Sequence, residues 1–208
     1  MYLSKLTLDP QHPQARRDLS SPYEMHRTLT RAFTPDAQSL PPRFLWRLES
    51  GRGTTPAATV LVQADIAADW SVLAPMADYA PQVQGNKRVD LERLIDRPGG
   101  RFRFRLLANP TVTRDGKRHG LTKEEDQLDW LTRQGVNCGF GLCACLRLGN
   151  ERVQTRQGNA GRRITLQSVL FEGALEVRDA ARLRVAVSSG LGHGKALGLG
   201  LLSLARIA

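Results

Sequence analysis

The sequence has few lysine, cysteine, histidine and aromatic residues, and these low counts exclude several classes of function. Only five of its 30 basic residues are lysines, so arginine carries most of the excess over 20 acidic residues, a net charge of +10. Guanidinium groups match phosphate oxygens bidentately. An anionic polymer is therefore the first partner to expect, although many soluble proteins are merely basic.

Several classes of protein are excluded by what is missing. No apolar run approaches the roughly 18 residues of a membrane span, and residues 1–10 lack the pattern of a signal peptide. The cysteines at 138, 143 and 145 are odd in number and lack C-x-x-C spacing, which argues against a disulfide framework and a zinc site. We expect a cytoplasmic protein without metal or cofactor, in which all three cysteines are buried as small hydrophobic side chains.

The first half of the chain has the pattern strand, helix, strand, strand. Alternation of apolar and polar residues predicts strands over 2–9, 43–49 and 59–63, with a turn-rich loop over 51–56. A further strand is predicted within 82–90. The 208 residues are enough for two domains of about 100 residues each.

The first helix carries the clearest local signals. A capping box predicts its start, with Ser21 as N-cap, Pro22 at N1 and Glu24 at N3. Pro35 marks its end. Apolar residues recur at four-residue steps and predict the face that packs on a sheet: Met25, Leu29 and Phe33.

The second half repeats the same order. Residues 101–105 alternate phenylalanine with arginine, which predicts a strand that is apolar inside and basic outside. The pattern then predicts a helix capped at Thr122 that ends at Gly135, strands at 140–148, 164–170 and 174–177, a turn at Glu172–Gly173 and a helix capped by Asp179. Two such rounds predict an α+β fold of two tandem ferredoxin-like domains, 1–92 and 99–208, each an antiparallel sheet backed by helices.

His26 is a histidine whose place on a helix follows from geometry. At about 100° per residue it lies about 20° beyond the apolar stripe, and Tyr23 and Arg27 share its face. RNA cleavage without a metal needs one group to accept the 2′-hydroxyl proton and one to protonate the leaving 5′-oxygen. A histidine serves either purpose near neutral pH.

The three residues predict a division of roles. Surrounding arginines are expected to lower the pKa of His26 and favour the neutral base, while Tyr23 orients the 2′-hydroxyl or phosphate and Arg27 stabilises the phosphorane. The alternative is a structural histidine, hydrogen-bonded to backbone beside a packing tyrosine.

Two further segments suit RNA. Residues 149–163 hold four arginines and one acidic residue, which indicates either a solvated hairpin or loop or a cationic finger that binds phosphates. Five glycines fall within 190–200, but Ser189 and Ala196 depart from the Walker A motif, which excludes the phosphate-binding loop of nucleoside triphosphatases. This tail either offers N–H donors to phosphate, with Lys195 nearby, or forms a turn before a last strand.

Five blocks, in order along nearly the whole chain, resemble the CasE family, the CRISPR RNA-processing endoribonuclease of type I-E Cascade. The blocks are 15–29 (ARRDLSSPYEMHRTL), 44–48 (FLWRL), 103–110 with 116–118 (RFRLLANP and GKR), 169–177 (VLFEGALEV) and 192–202 (GHGKALGLGLL). The resemblance implies two tandem domains of the RAMP type. It also implies metal-free cleavage of precursor CRISPR RNA at the base of each repeat stem-loop, leaving a 5′-hydroxyl and a 2′,3′-cyclic phosphate.

The resemblance implies that the crRNA hairpin is then retained alongside the other Cascade subunits. It maps the catalytic residues to Tyr23, His26 and Arg27, and the basic hairpin to 151–163; His193 receives no catalytic role. The alternative is a non-catalytic subunit of the same fold that binds structured RNA. The residues expected to bind RNA are Arg103, Arg105, Lys117, Arg118, Arg152, Arg156, Arg162, Arg163, Gly192, Gly194 and Lys195.

Overall fold

The first sheet has four antiparallel strands and two helices that precede its second strand. The computed structural model describes residues 1–34, 40–49, 57–156, 161 and 163–207. Within the sheet the strand order is β2-β3-β1-β4. The elements are β1 (Tyr2–Leu8), α1 (Pro13–Ser20), α2 (Pro22–Thr30), β2 (Phe44–Glu49), β3 (Ala58–Ala64) and β4 (Gln82–Arg88).

The apolar stripe of α2 packs into the core of this sheet, as predicted. Met25 and Leu29 are each 1% exposed and Phe33 is 8% exposed. They share a buried cluster with Leu6 of β1 and Val60 of β3, which are paired in the antiparallel register. The predicted end of the helix at Pro35 and the loop over 51–56 lie outside the described residues.

Two local interpretations of the first half are wrong. The alternation expected for β2 fails, because Arg47 is buried at 2% exposure and pairs with Glu49 at 2.5 Å, whereas Leu48 is 38% exposed. Helix α1 was not predicted. Its N-cap is His12, whose Nδ1 accepts the Gln14 N–H at 3.2 Å, an unusual cap that sequence patterns do not flag.

The second sheet repeats the topology of the first with one insertion. Its strand order is β10-β5-β9-β8, and a separate hairpin joins β6 to β7. In each sheet the strands that flank the first strand are the third and the fourth, which is the ferredoxin-like order and confirms the predicted fold class. The elements are α3 (Leu91–Leu94), β5 (Arg101–Ala108), β6 (Thr111–Arg114), β7 (Lys117–Gly120), α4 (Glu124–Cys138), β8 (Phe140–Arg156), β9 (Arg163–Val177), α5 (Ala180–Ser189) and β10 (Leu202–Arg206).

Strand β5 and helix α5 match their predictions, whereas α4 and β9 differ in detail. Helix α4 has Lys123 as N-cap and continues through Gly135 to Gly139, whose φ of 78° ends it. The turn predicted at Glu172–Gly173 is wrong, since β9 is continuous there. Gly173 is needed instead because a Cβ atom would collide with the carbonyl oxygen of Ala144.

The prediction that all three cysteines are buried is also wrong. Cys143 is exposed, and Cys138 and Cys145 are half-buried; all three are free thiols. Cys143 and Cys145 lie on β8, the edge strand of the second sheet, where neighbours cover only one side. Partial burial nevertheless raises the pKa of Cys145 to about 11.

The chain separates into two compact units. The first comprises Met1–Val89, Thr155–Arg162 and Ala196–Gly198, and the second comprises Asp90–Gln154, Arg163–Lys195 and Leu199–Ala208. The linear division into 1–92 and 99–208 stays a prediction. Of the helices in the part of the chain that the structure describes, none has the length and apolar character needed to span a bilayer.

A buried polar pair joins α1 to the segment before β4. Tyr79, fully buried, donates its hydroxyl to Asp18 Oδ2 at 2.7 Å, and Gln14 Nε2 donates to Asp18 Oδ1 at 2.8 Å. Burial raises the pKa of Asp18, and the hydrogen bonds from Tyr79, Thr28 and Gln14 oppose that rise. The charged form of the buried Asp18 carboxyl group therefore depends on these hydrogen-bond donors for its stability.

Tyr79→Phe removes one of those donors without creating a large cavity. We expect it to lower the free energy of unfolding by about 1–3 kcal/mol, because a buried acceptor loses a partner. Urea unfolding at neutral pH measures the change. Tyr2→Phe is the matched control, since the half-buried Tyr2 hydroxyl has no hydrogen-bond partner within the described residues; equal losses in the two variants would contradict the expectation.

Candidate active site

Ser21 sets the position of the helix that carries the predicted catalytic residues. Its N–H donates to the Asp18 carbonyl at 3.3 Å, which closes α1, and its Oγ accepts the Glu24 N–H at 3.5 Å, which begins α2. The N-cap prediction is confirmed. The Glu24 carboxylate, however, forms ion pairs with Arg17 at 2.8 Å and Arg27 at 3.2 Å.

His26 lies at the rim of the core, as its helical position predicted. Its ring is half-buried and stacks on Phe44 of β2, with ring centroids 4.8 Å apart and an interplanar angle of 18°. Phe33 also stacks on Phe44, with ring centroids 4.7 Å apart. His26 Nδ1 is buried and has no hydrogen-bond partner among the described residues, so any reactive contact falls to Nε2.

Burial lowers the pKa of His26. The predicted direction is therefore confirmed, but the predicted cause is wrong, because loss of solvent produces the shift and not the neighbouring arginines. A charged imidazolium is disfavoured where water is removed. At neutral pH the ring is therefore uncharged and has a lone pair for a proton.

Tyr23 and Arg27 share the face of α2 that carries the imidazole, and both lie on the same side of it. Tyr23 is half-buried and Arg27 is exposed, so the phenol is held against the protein while the guanidinium meets solvent. Arg27 remains tied to Glu24, one turn away. One face of α2 thus carries a neutral imidazole, a phenol hydroxyl and a cation, the three groups that the sequence predicted.

The two ends of the glycine-rich tail differ in their backbone hydrogen bonds. The end around Gly198 and Gly200 packs against the protein. The Gly200 N–H donates to the Leu107 carbonyl at 2.7 Å, the Ala196 carbonyl accepts from Trp46 Nε1 at 3.4 Å, and Gly198 lies against the Trp46 ring. By contrast, the N–H groups of Gly192, His193 and Gly194 make no hydrogen bond within the described residues. Those three groups are available to an anion.

Cationic side chains gather at the same part of the tail. Burial lowers the pKa of His193, and the positive charges of Arg118 and Lys195 lower it further. Arg118 comes from the exposed β6–β7 hairpin, and His193 itself is exposed. The structure therefore unites Arg118, Lys195 and the N–H groups near Gly192 and Gly194 into one basic surface.

The remaining predicted RNA-binding residues are dispersed. Arg103 is exposed between Ala174 and Ala205, whereas Arg105 pairs with Glu172 at 3.2 Å. Lys117 is exposed on the β6–β7 hairpin, and Arg152 is exposed on β8. The strands β8 and β9 form the two sides of the predicted basic hairpin; the side chains of Arg156, Arg162 and Arg163 lie outside the described residues.

The sequence did not reveal Phe44 or Arg17 as parts of the site. Phe44 reaches His26 only after β2 pairs into the sheet, and Arg17 meets Glu24 only after the chain turns at Ser21. No local spacing signals either contact. Both stretches do fall inside the blocks that carry the family resemblance.

Comparisons with known proteins agree along the full length. The family described as CRISPR associated protein matches residues 1–206. CRISPR-associated endoribonuclease Cse3 of Thermus thermophilus is 41% identical over 224 residues, covering 99% of this chain and 100% of Cse3. The chain belongs to the Cse3/CasE family of CRISPR-associated endoribonucleases.

Other members of the Cse3/CasE family support the same placement. The Cascade subunit CasE of Escherichia coli is 32% identical over 218 residues, covering 99% of each chain. A solved structure of Cse3 bound to a 19 nt RNA is 42% identical and has a TM-score of 0.86, covering 99% of this chain and 100% of that one. The tandem ferredoxin-like architecture is therefore that of the family.

Gly198 offers a direct test of the packing beneath the tail. Its φ is 82°, and a Cβ atom there would lie 2.9 Å from ring carbons of Trp46. Gly198→Ala combines the cost of a left-handed conformation, about 1–2 kcal/mol, with overpacking of about 1–3 kcal/mol. Denaturant unfolding measures the sum.

Gly99→Ala is the matched control for this substitution. Gly99 has nearly the same φ, 85°, but nothing lies within 4 Å of its would-be Cβ. It should lose only the conformational part. If the two variants lose equal stability, the tail does not pack on Trp46 as described.

Proposed function

We propose that this chain is a metal-independent endoribonuclease that cleaves precursor CRISPR RNA at the base of the repeat stem-loop. The observation that carries the proposal is the neutral, half-buried imidazole of His26, which lies at the rim of the core on the same helix face as Tyr23 and Arg27. The 41% identity to the endoribonuclease Cse3, along the full length of the chain, also supports the proposal.

The proposed reaction is a transesterification within the RNA strand. His26 Nε2 accepts the proton of the 2′-hydroxyl, and the 2′-oxygen forms a bond to the adjacent phosphorus. The bond from phosphorus to the 5′-oxygen breaks, and that oxygen takes up a proton. The products are a 5′-hydroxyl end and a 2′,3′-cyclic phosphate end.

Two neighbours of His26 complete the reaction site. Tyr23 is positioned to hold the 2′-hydroxyl or a phosphate oxygen with its own hydroxyl group. Arg27 stabilises the negative charge that develops on the phosphorane, because a preorganised cation costs no rearrangement when the charge forms. Loss of either group should slow cleavage without abolishing RNA binding.

The basic surfaces suit a product that stays bound. Arg118, Lys195 and the free N–H groups at Gly192 and Gly194 form one anion-binding surface, and the β8–β9 hairpin adds further arginines. Double-stranded RNA is recognised mainly through its backbone and shape. We propose that the protein keeps the crRNA hairpin and joins the other Cascade subunits, as the name of the CasE relative indicates for that protein.

A second candidate is a non-catalytic subunit of the same fold that binds structured RNA. The stacking of His26 on Phe44 and the burial of Nδ1 favour it, because a histidine packed in this way can serve stability alone. Under that function the basic surfaces act unchanged. Cleavage, but not binding, separates the two candidates.

Cleavage of a repeat stem-loop RNA in the presence of EDTA tests the proposed chemistry. We expect one cut, which a 2′-deoxy nucleotide immediately 5′ of the scissile phosphate should abolish, because the attacking oxygen is then absent. His26→Ala should reduce the single-turnover rate by about 10²–10⁴-fold while the dissociation constant stays the same. Gel analysis of the products and filter binding measure the two quantities.

His119→Ala provides the control, since His119 is exposed on β7 and has no role in the proposed reaction. It should cleave like the parent. A requirement for added metal, or a cut that survives the 2′-deoxy substitution, would remove the proposed mechanism. Loss of binding together with cleavage in His26→Ala would assign the residue to structure.

The pH dependence of cleavage distinguishes a base from an acid. Because burial lowers the pKa of His26, the neutral base predominates at pH 7 and becomes protonated only as the pH falls below the usual value near 6.5. The single-turnover rate should rise with pH, with a midpoint below 6.5, and then level off. A rate that falls through this midpoint would make His26 the general acid; binding of the 2′-deoxy RNA at each pH is the control.

A further inference from the structure

One carboxylate on α2 is shared by two arginines from different helices. Glu24 Oε2 lies 2.8 Å from Arg17 Nη2 and 3.2 Å from Arg27 Nη1. The Glu24 side chain is 15% exposed, whereas the arginine side chains are 53% and 61% exposed. The carboxylate therefore lies beneath two guanidinium groups that face solvent.

This arrangement leaves unused charge and unused donors. Two positive groups and one negative group give a net charge of +1. Each guanidinium has five N–H donors, and the ion pairs with Glu24 occupy only a few of them. Because both nitrogens contact the same oxygen, they lie within about 6 Å of each other, the sum of the two contact distances.

The arginine pair continues the face that carries the catalytic residues. At about 100° per residue, Arg27 lies about 40° and Glu24 about 100° from Tyr23 around α2, on the side away from His26. Arg17 follows next, because the turn at Ser21 places the end of α1 beside Glu24. A strand whose scissile phosphate lies at His26 can therefore run over Tyr23 and Arg27 to Arg17.

Stability does not account for both arginines. The Glu24 carboxylate is 15% exposed and needs a cation, but one guanidinium group is enough to pair with it, and both arginines are more than half exposed. Paired guanidinium groups with free donors are instead well suited to a phosphate, whose oxygens accept parallel hydrogen bonds. A carboxylate beneath them fixes their separation before the ligand arrives.

We propose that Arg17 and Arg27 form a guanidinium pair in which Arg27 faces the scissile phosphate and Arg17 binds the backbone phosphate next to it, and that Glu24 is the positioning residue that holds this pair. The proposal rests on the proposed endoribonuclease function and extends it to a residue, Arg17, on the preceding helix. Arg17 supplies affinity. Glu24 holds the Arg27 guanidinium group in place, and its effect on the reaction passes through Arg27.

Equilibrium binding of an uncleavable RNA tests the role of Arg17. The probe is a CRISPR repeat stem-loop from the genome that encodes the chain, with a 2′-deoxy nucleotide 5′ of the scissile phosphate. Arg17→Ala should weaken binding about tenfold and reduce the slope of log K against log salt concentration by about 1, because one phosphate contact no longer releases a counterion. Thermal unfolding checks that the variant is folded.

Arg16→Ala is the matched control. Arg16 precedes Arg17 on the same helix, is also exposed, and forms no ion pair within the described residues. Its affinity and salt slope should equal those of the parent. Equal behaviour of Arg16→Ala and Arg17→Ala, whether both change or neither does, overturns the phosphate-binding pair.

Glu24→Gln tests the positioning role separately, because it keeps the shape and removes the charge. The salt slope should not fall, since no cation is lost, but the single-turnover cleavage rate of saturating RNA should drop severalfold as Arg27 loses its fixed place. An unchanged rate overturns the role of Glu24. Because the Arg17 experiment measures binding alone, a parent protein that binds but does not cut would end the nuclease proposal and leave the phosphate-binding pair intact.

Discussion

The packing of the His26 ring on Phe44 is the contact on which the candidate site depends. It removes water from one side of the imidazole, which keeps the ring neutral, and it leaves the other side at the edge of the core. Phe33 extends the same stack. A single aromatic contact thus affects both the charge and the orientation of the imidazole that we propose as the proton acceptor, and Met25 and Leu29 of the same helix are buried in the adjoining core.

Features fixed by near neighbours in the chain could be predicted from the sequence. The cap at Ser21, the buried stripe of α2 and the alternating faces of β5 each depend on residues two to four positions apart, and each was found. The position of His26 at the rim followed from the same periodicity. The stacking of His26 on Phe44 could not be predicted in this way, because Phe44 lies on β2, outside the helix, and reaches His26 only when that strand joins the sheet.

The wrong predictions share a physical cause. An isolated glycine such as Gly173 often indicates a turn, but here it accommodates the close approach of Ala144 on the neighbouring strand. The exposure of Cys143 follows from the place of β8 at the sheet edge, which strand order decides. The sequence does not predict helix α1, because its N-cap is His12 and not one of the usual capping residues, serine, threonine, aspartate or asparagine. For Gly173 and Cys143 the structure depends on strands that are distant in the sequence, and for α1 it depends on a residue type that rarely caps helices.

Strand register also decides which arginines are available to RNA. Arg103 and Arg105 are indistinguishable in the sequence, two positions apart on the same face of β5, yet Arg103 faces Ala174 whereas Arg105 faces Glu172 and pairs with it. A net charge of +10 therefore says that phosphate is a suitable ligand but not where it binds. Carboxylates within a basic surface pair with some of the cations and orient them, as Glu24 does with Arg17 and Arg27.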